Sequence, residues 1–125
     1  MLHFRILDFG TAAPSFMMEL IRELGGLILA GHVLYIHCFG GHGRTGQVAI
    51  NLLTALYGVE LETAWAHANA YHTARAGCEA CARLPEVWGQ KQQLKMLGPT
   101  MRERERQHFL GSARGVLSGS ACDSK

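Results

Sequence analysis

Between residues 33 and 56 the hydrophobic residues change from a short continuous run to helical spacing, and the other predicted elements lie on either side of this stretch. Val33–Ile36 is a short run of β-branched and aromatic residues, which predicts a buried strand that ends near Cys38. Further on, apolar residues recur at helical spacing, which predicts a helix over Arg44–Tyr57 with Gly58 as its stop. The core face of that helix is predicted to contain Val48, Leu52, Ala55 and Leu56. Glycines occupy three positions between the predicted strand and the predicted helix, so we expect a strand, a tight loop and a helix in that order.

Two elements are predicted ahead of this stretch. Leu2–Leu7 has the composition of a strand. Pro14 suits the first turn of a helix, with Thr11 as an upstream cap. We expect Gly25-Gly26 to weaken this helix midway and Gly31 to end it. Its predicted apolar face consists of Phe16, Met17, Leu20, Ile21, Leu24, Leu27 and Ile28.

Two further helices are predicted downstream of Gly58. The first runs from Glu60 to about Ala74 and has Trp65 and Tyr71 at core spacing. The second begins at Leu84-Pro85 and runs to about Leu97.

The end of the chain differs from the rest in composition. Arg102–Arg106 alternates in charge, which is typical of a solvated helical extension. From Gly111 onward glycine and serine dominate, which predicts a disordered tail. We therefore expect one domain over residues 1–98, followed by a charged helical extension and tail over residues 99–125.

The loop between the strand and the central helix carries the candidate chemistry. Five residues separate Cys38 from Arg44, enough to form a concave nest of backbone N–H groups. The N-terminus of the following helix adds a partial positive charge. Glycines allow positive φ and a close approach of the backbone to a ligand, and they occupy positions 40, 41 and 43. Such a loop binds a tetrahedral dianion, so a phosphate or sulfate ion is its expected occupant.

The side chains around this loop suit phosphoryl transfer. A cysteine beside an arginine at a helix N-terminus has a lowered pKa, which makes Cys38 a candidate thiolate nucleophile. The planar guanidinium of Arg44 can hold two phosphoryl oxygens at once. We expect the Thr45 hydroxyl to stabilise the sulfur when it leaves, and His37 to orient the loop by hydrogen bonds.

At these residues the chain resembles the cysteine-dependent protein tyrosine and dual-specificity phosphatases. Their signature is His-Cys, five residues, Arg, then Ser or Thr, and His37-Cys38 with Arg44-Thr45 matches it. The glycines inside the loop make the small dual-specificity and kinase-associated branch the nearest resemblance. A bare Cys-x5-Arg also occurs in rhodanese-like sulfurtransferases. The resemblance implies that phosphate is bound by Phe39, Gly40, Gly41, His42, Gly43 and Arg44.

The resemblance also implies a general acid and a fold. In this family a loop about thirty residues upstream carries the aspartic acid that protonates the leaving group, and Asp8 lies 30 residues before Cys38. Glu86 follows Pro85 in a segment that is similar to the family's last helix. The implied fold is α/β, with a central, mostly parallel sheet flanked by helices. Several of its strands precede the aspartate loop, and this chain begins at that loop. Either it is a fragment or another element covers the sheet edge.

Composition narrows the function classes. Hydrophobic residues make up 48% of the chain and charged residues 18%, which indicates a globular protein. A net charge of +2 is too mild to indicate a nucleic-acid or membrane partner. The four cysteines lack the density of a disulfide framework, and one stands where a reduced thiol is needed. We expect a reducing, cytoplasmic location.

A second group of residues suggests a metal site. Cys78 and Cys81 have a Cys-x2-Cys spacing, and His67 and His72 lie nearby, which matches zinc ligands in part. The histidines are five residues apart, a poor match for one helix face. We therefore expect neither metal nor cofactor.

The expected function is hydrolysis of phosphotyrosine in a phosphorylated protein substrate, with phosphoserine and phosphothreonine as further substrates. Two alternatives stay open. One is a pseudophosphatase that binds phosphoproteins without turnover. The other is a phosphoinositide phosphatase, because His42 stands where such enzymes carry a lysine and a protonated histidine favours a highly charged substrate.

Overall fold

Helices hold 80% of the residues that the structure describes, and none of those residues belongs to a β-strand. This computed structural model describes residues 6, 11–38, 43–73 and 88–111. The expected α/β fold with a central, mostly parallel sheet is therefore wrong for this part of the chain. Apart from Ile6, the predicted strand Leu2–Leu7 lies outside the described residues, as does the predicted tail after Gly111.

The predicted central strand is extended but has no neighbouring strand in the described part of the chain. Leu34 and Ile36 pack against the helical core, whereas Val33 is 98% exposed and Tyr35 is 89% exposed. Alternation of this kind is the two-residue period of a strand. Within the ranges described above, no hydrogen bond reaches the backbone of Val33–His37. The buried strand predicted here is therefore wrong for the described residues: the backbone is extended, but its outward side chains are exposed and no described residue pairs with it.

Helix α1 spans Pro14–Leu29 and begins at the predicted proline. Proline at this position loses nothing, because the first N–H groups of a helix have no partner within it. The cap residue is Ala13, which makes no side-chain capping bond, so Thr11 does not cap the helix as expected. Gly25 and Gly26 do not interrupt the helix.

The predicted end of α1 is confirmed at Gly31, which has a φ of 94°. The N–H of His32 donates to the carbonyl of Leu27 at 3.0 Å, and the N–H of Gly31 donates to Ile28 at 3.0 Å. This pair of bonds is a Schellman motif, and it needs a left-handed residue at the position of Gly31. The extended segment starts immediately after it.

Helix α2 spans Arg44–Tyr57, as predicted, and Gly58 ends it with a φ of 66°. It contacts each of the other helices, so it is the central element of the fold. The predicted core residues Val48, Leu52 and Ala55 are buried. The same helix also buries polar side chains that the hydrophobic pattern did not predict, namely Gln47, Asn51 and Thr54.

Helix α3 spans Leu61–Thr73, and α4 spans Trp88–Thr100. Trp65 is half-buried against the core, but Tyr71 is 78% exposed, so the expectation of a core position was wrong for this tyrosine. Pro99 lies inside α4 and lacks a backbone N–H for the helical ladder. The chain continues through a π-helical turn, Met101–Glu105, and stays helical to residue 111.

Two hydrophobic clusters hold these helices together. The larger lies between α1, one face of α2 and the helical segment after Thr100, and its buried members are Ala12, Met17, Leu20, Ile21, Leu24, Val48, Leu52, Ala55, Leu97, Met101 and Phe109. The smaller lies between α2, α3 and α4, and its buried members are Ile50, Ala64, Ala68 and Leu94. Because α2 contributes to both clusters, it is enclosed from opposite sides.

The charged segment after Thr100 is packed against the other helices. Glu105 is fully buried and accepts hydrogen bonds from Arg22 of α1 at 2.6 and 3.2 Å. These hydrogen bonds, and then the attraction of the carboxylate, raise the pKa of Arg22 above its ordinary value. Arg106 donates to the carbonyl of Leu56 at 2.8 Å, at the C-terminal end of α2. The solvated extension expected here is therefore wrong for Glu105.

Candidate active site

Cys38 lies at the end of the extended segment and is half-buried. It takes part in no disulfide. Its side chain follows the inward alternation of Leu34 and Ile36, whereas His37 before it is exposed. The ring of His37 stacks on Tyr35 with 5.5 Å between the ring centroids. The histidine therefore lies on the open face of the segment, and its predicted role in orienting the loop stays a prediction.

The loop itself is described only at its exit. Phe39, Gly40, Gly41 and His42 lie outside the described residues, so the predicted nest of N–H groups is not described. Gly43 is buried and caps the N-terminus of α2 without a side-chain hydrogen bond. The first turn of α2 also contains no acidic residue. The partial positive charge at the N-terminus of α2 thus lies directly after the loop, and no acidic side chain in the first turn of α2 neutralises it.

Arg44 and Thr45 are the first two residues of α2. An Nη1 of Arg44 donates to the backbone carbonyl of Ile6 at 3.1 Å. The hydroxyl of Thr45 is buried and makes no hydrogen bond to any described group, so the expected bond to the sulfur of Cys38 is not formed in this structure. The structure brings the arginine to the segment around Ile6, two residues before the predicted acid in sequence.

Asp8 itself lies outside the described residues, but chain on both sides of it is described. Ile6 is half-buried beside the larger hydrophobic cluster, and Ala12 is buried within it. Both carbonyls accept hydrogen bonds from side chains of other elements, Ile6 from Arg44 and Ala12 from Gln93. The chain is thus bonded to α2 before the predicted acid, at Ile6, and to α4 after it, at Ala12.

Sequence reasoning missed a set of buried amide side chains between α2 and α4. Nε2 of Gln47 donates to Oε1 of Gln93, and Nε2 of Gln93 donates to the carbonyl of Ala12. Gln47 is 0% exposed and Gln93 is 7% exposed. One signal was available, since Gln47 and Asn51 are polar residues directly beside the predicted core positions of α2. The partner residues could not be inferred, because they are distant in sequence.

Of the four residues whose spacing matches zinc ligands in part, the structure describes the two histidines. His67 is exposed on α3, whereas His72 is buried, so the two do not share a surface. Cys78 and Cys81 lie outside the described residues. Among the residues that are described, no group of three or more His, Cys, Asp or Glu side chains is arranged to bind a metal ion.

Comparisons with known proteins do not identify the chain. It matches no protein-family model, no curated protein and no solved structure. Within the described ranges, none of the helices has the length and apolar character needed to cross a membrane. The functional argument therefore depends on the residues of the loop and on the elements that flank it.

Proposed function

We propose that this protein is a cysteine-dependent phosphatase that hydrolyses phosphate monoesters on proteins, with phosphotyrosine as the preferred substrate. One observation carries the proposal. A half-buried cysteine ends the extended segment, and after five intervening residues α2 begins at Arg44 with an N-terminus that no side chain caps. Backbone N–H groups at such a helix start are a ready site for a phosphate dianion. The loop sequence between these two ends supplies the glycines that a phosphate-binding loop needs.

In the first step of the proposed reaction, the thiolate of Cys38 attacks phosphorus in line with the departing oxygen. The sulfur–phosphorus bond forms while the bond to the phenol or alkoxide oxygen breaks. The N–H groups at the start of α2 and the guanidinium of Arg44 stabilise the charge on the equatorial oxygens. Asp8 donates a proton to the departing oxygen, which leaves as a neutral alcohol.

In the second step, water hydrolyses the phosphocysteine. The Asp8 carboxylate accepts a proton from the water as its oxygen attacks phosphorus, and the sulfur–phosphorus bond breaks. Cys38 leaves as a thiolate, and inorganic phosphate is released. Rotation of the buried Thr45 hydroxyl toward the sulfur would stabilise that thiolate.

The proposed partner is a phosphorylated protein, and no nucleic acid is involved. Because the mechanism needs a reduced thiol, the proposal includes a reducing compartment, the cytoplasm. The preference for phosphotyrosine over phosphothreonine or an inositol lipid is tested by comparing the three as matched substrates. A lipid preference of about tenfold or more would overturn the assignment to proteins.

The first prediction concerns the nucleophile. Cys38→Ser should lower turnover of an aryl phosphate by about a thousandfold or more, because serine is a poor nucleophile near neutral pH. Phosphate affinity, measured by calorimetry, should change little, since α2 and Arg44 are untouched. Cys122→Ser is the matched control and should keep full activity. Substantial turnover by the Cys38→Ser variant would remove Cys38 from the mechanism.

A binding module without turnover is the second candidate, and the first turn of α2 favours it. Arg44 already donates to the carbonyl of Ile6, and the Thr45 hydroxyl makes no bond to Cys38. This arrangement can hold an anion without supporting departure of the sulfur. Binding of a phosphotyrosine peptide by wild-type protein that shows no vanadate-sensitive turnover would select the binding module over the enzyme.

A further inference from the structure

Two separate hydrogen-bonded connections join the first turns of α2 to the chain on either side of Asp8. The first is direct, from Arg44 to the carbonyl of Ile6. The second is a relay in which Gln47 donates to Gln93 of α4, and Gln93 donates to the carbonyl of Ala12. Gln93 and Ala12 are 81 positions apart in sequence, so this connection depends on the folded arrangement of α4.

The relay starts where α2 starts. The backbone N–H of Gln47 donates to the carbonyl of Gly43 at 3.0 Å, which is the bond that closes the first turn after the loop. Its side chain is 0% exposed. A buried amide group cannot exchange its partner for water, so the direction in which Gln47 points is set by Gln93.

The carboxamide of Gln93 uses both of its polar ends. Its oxygen accepts from Gln47, and its nitrogen donates to Ala12. Turning the amide over would place a donor against a donor and an acceptor against a carbonyl, so one orientation is selected. Gln93 therefore fixes the separation between α2 and the segment Thr11–Ala13.

The bond from Gln93 to Ala12 lies beside a gap in the packing. A groove of about 410 Å³ lies between Thr11–Pro14 and α4, where Gly89, Gln92 and Met96 line it. Gln93 also lines this groove, so its bond to Ala12 is a polar contact between α4 and the segment at the edge of the gap. Ala12 lies four residues after Asp8 in sequence.

We propose that Gln93 is a positioning residue that holds the segment following Asp8 at a fixed distance from α2 through the Gln47–Gln93–Ala12 relay. The consequence of this role rests on the proposed phosphatase function. By placing the segment that follows Asp8, Gln93 controls how well Asp8 protonates the leaving oxygen, and it does so without contacting the substrate. Removing the relay should therefore impair the acid-dependent step selectively.

The test compares Gln93→Met with Gln92→Met. Both replace a glutamine of α4 by an unbranched side chain of similar length, but only Gln93 belongs to the relay. Turnover is measured on a series of aryl phosphates whose leaving phenols differ in acidity. Gln93→Met should lose about tenfold to a hundredfold with a poor leaving group and less than about twofold with a good one. Gln92→Met should follow the wild type throughout.

A second measurement does not depend on activity. Hydrogen exchange of a peptide covering residues 13–20, which includes the bond from the Met17 N–H to the carbonyl of Ala13, should be faster in Gln93→Met than in Gln92→Met, because the segment that starts α1 has lost its connection to α4. If Gln93→Met fails to fold, Gln93→Asn replaces it, since it keeps both polar groups on a chain too short to bridge them.

The outcomes separate the two proposals. An equal loss of turnover with all leaving groups, or unchanged exchange over residues 13–20, overturns the positioning role of Gln93. Absence of turnover in the wild-type protein overturns the proposed function, and exchange alone then decides whether the relay holds the segment.

Discussion

The two sides of the proposed phosphate loop differ in how they are held. Before the loop, Val33–His37 is extended, its outward side chains are almost fully exposed, and its backbone has no hydrogen-bond partner in the described ranges. After the loop, α2 is hydrogen-bonded along its length and contacts each of the other helices. The thiol thus belongs to the loosely held side, and the arginine to the firmly held side.

This difference bears on the proposed chemistry. Groups that stabilise charge in a transition state act best when they are fixed in advance, and α2 provides that rigidity for Arg44. Segments with few buried contacts and no backbone bonds open at low free energy. In the described ranges, the segment that leads to Cys38 packs against the core through Leu34 and Ile36 and pairs with no strand.

The largest expected effect comes from proline substitutions on the two sides. Ala49→Pro should destabilise the protein by about 3 kcal/mol or more, since proline breaks the helical ladder in the middle of α2. Tyr35→Pro should cost about 1 kcal/mol or less, because the N–H that it removes has no partner among the described residues and the residue before it is extended. Urea denaturation of both variants measures the difference.

A large penalty for Tyr35→Pro would break the comparison. It would show that the N–H of residue 35 is paired in solution and that the extended segment has a neighbour. Tyr35→Phe is the matched control, because it keeps the backbone N–H and the exposed ring.

The same comparison explains how much could be predicted from the sequence. The limits of α2 and the end of α1 were predicted correctly, because helical spacing, Gly58 and Gly31 act within a few residues. The run Val33–Ile36 was also a local signal, but the buried strand it predicted is wrong for the described residues, because Val33 and Tyr35 are exposed. A sheet, however, needs a second strand, and one strand's own pattern does not show whether that partner is present.

The buried polar contacts were missed for the same reason. Gln47 looks like a surface residue until Gln93 is placed against it, and the two are 46 positions apart. Glu105 looks like one member of a solvated charge run until Arg22 of α1 reaches it across 83 positions. In the candidate site, the spacing of Cys38 and Arg44 could be recognised in the sequence. The hydrogen bonds from Arg44 to Ile6 and from Gln93 to Ala12 could not.

The next prediction tests the ion pair between Arg22 of α1 and the buried Glu105, in the helical segment that packs against α2. Arg22→Ala should destabilise the fold by about 2 kcal/mol, because it leaves the carboxylate of Glu105 fully buried without its partner. Glu60→Gln is the control, since its ion pair with Arg102 is exposed, and it should cost less than about 0.5 kcal/mol. Thermal or urea unfolding distinguishes the two.

The pH dependence of this contact follows from the raised pKa of Arg22. A basic group whose pKa rises on folding contributes its full stability below its ordinary pKa, and that contribution is lost only as the pH rises through the higher folded value. For arginine this window lies beyond ordinary alkaline conditions. The titration of Arg22 should therefore add no pH dependence to stability between about pH 6 and pH 9.

A last pair of substitutions locates the boundary between the firmly and loosely held regions, which lies within α1. Gly25 is buried, and a Cβ there would overlap the ring of Phe109, whereas a Cβ at Gly26 would meet no atom within 4 Å. Beyond them, Ile28 and Leu29 are 37% and 39% exposed, and the extended segment follows. Gly25→Ala should destabilise by about 1–3 kcal/mol through overpacking. Gly26→Ala should stabilise by about 0.5–1 kcal/mol, because alanine favours the helix without a clash.

A double variant shows whether Phe109 is the cause. In a Phe109→Leu background the smaller side chain leaves room for a methyl group, so Gly25→Ala should lose most of its penalty, while the effect of Gly26→Ala should be unchanged. Chemical denaturation of the three single and two double variants gives the coupling. If Gly25→Ala stabilises the protein as much as Gly26→Ala does, the ring of Phe109 does not press on α1. The firmly held region would then end before Gly25, and α1 would share the looseness of the segment that leads to Cys38.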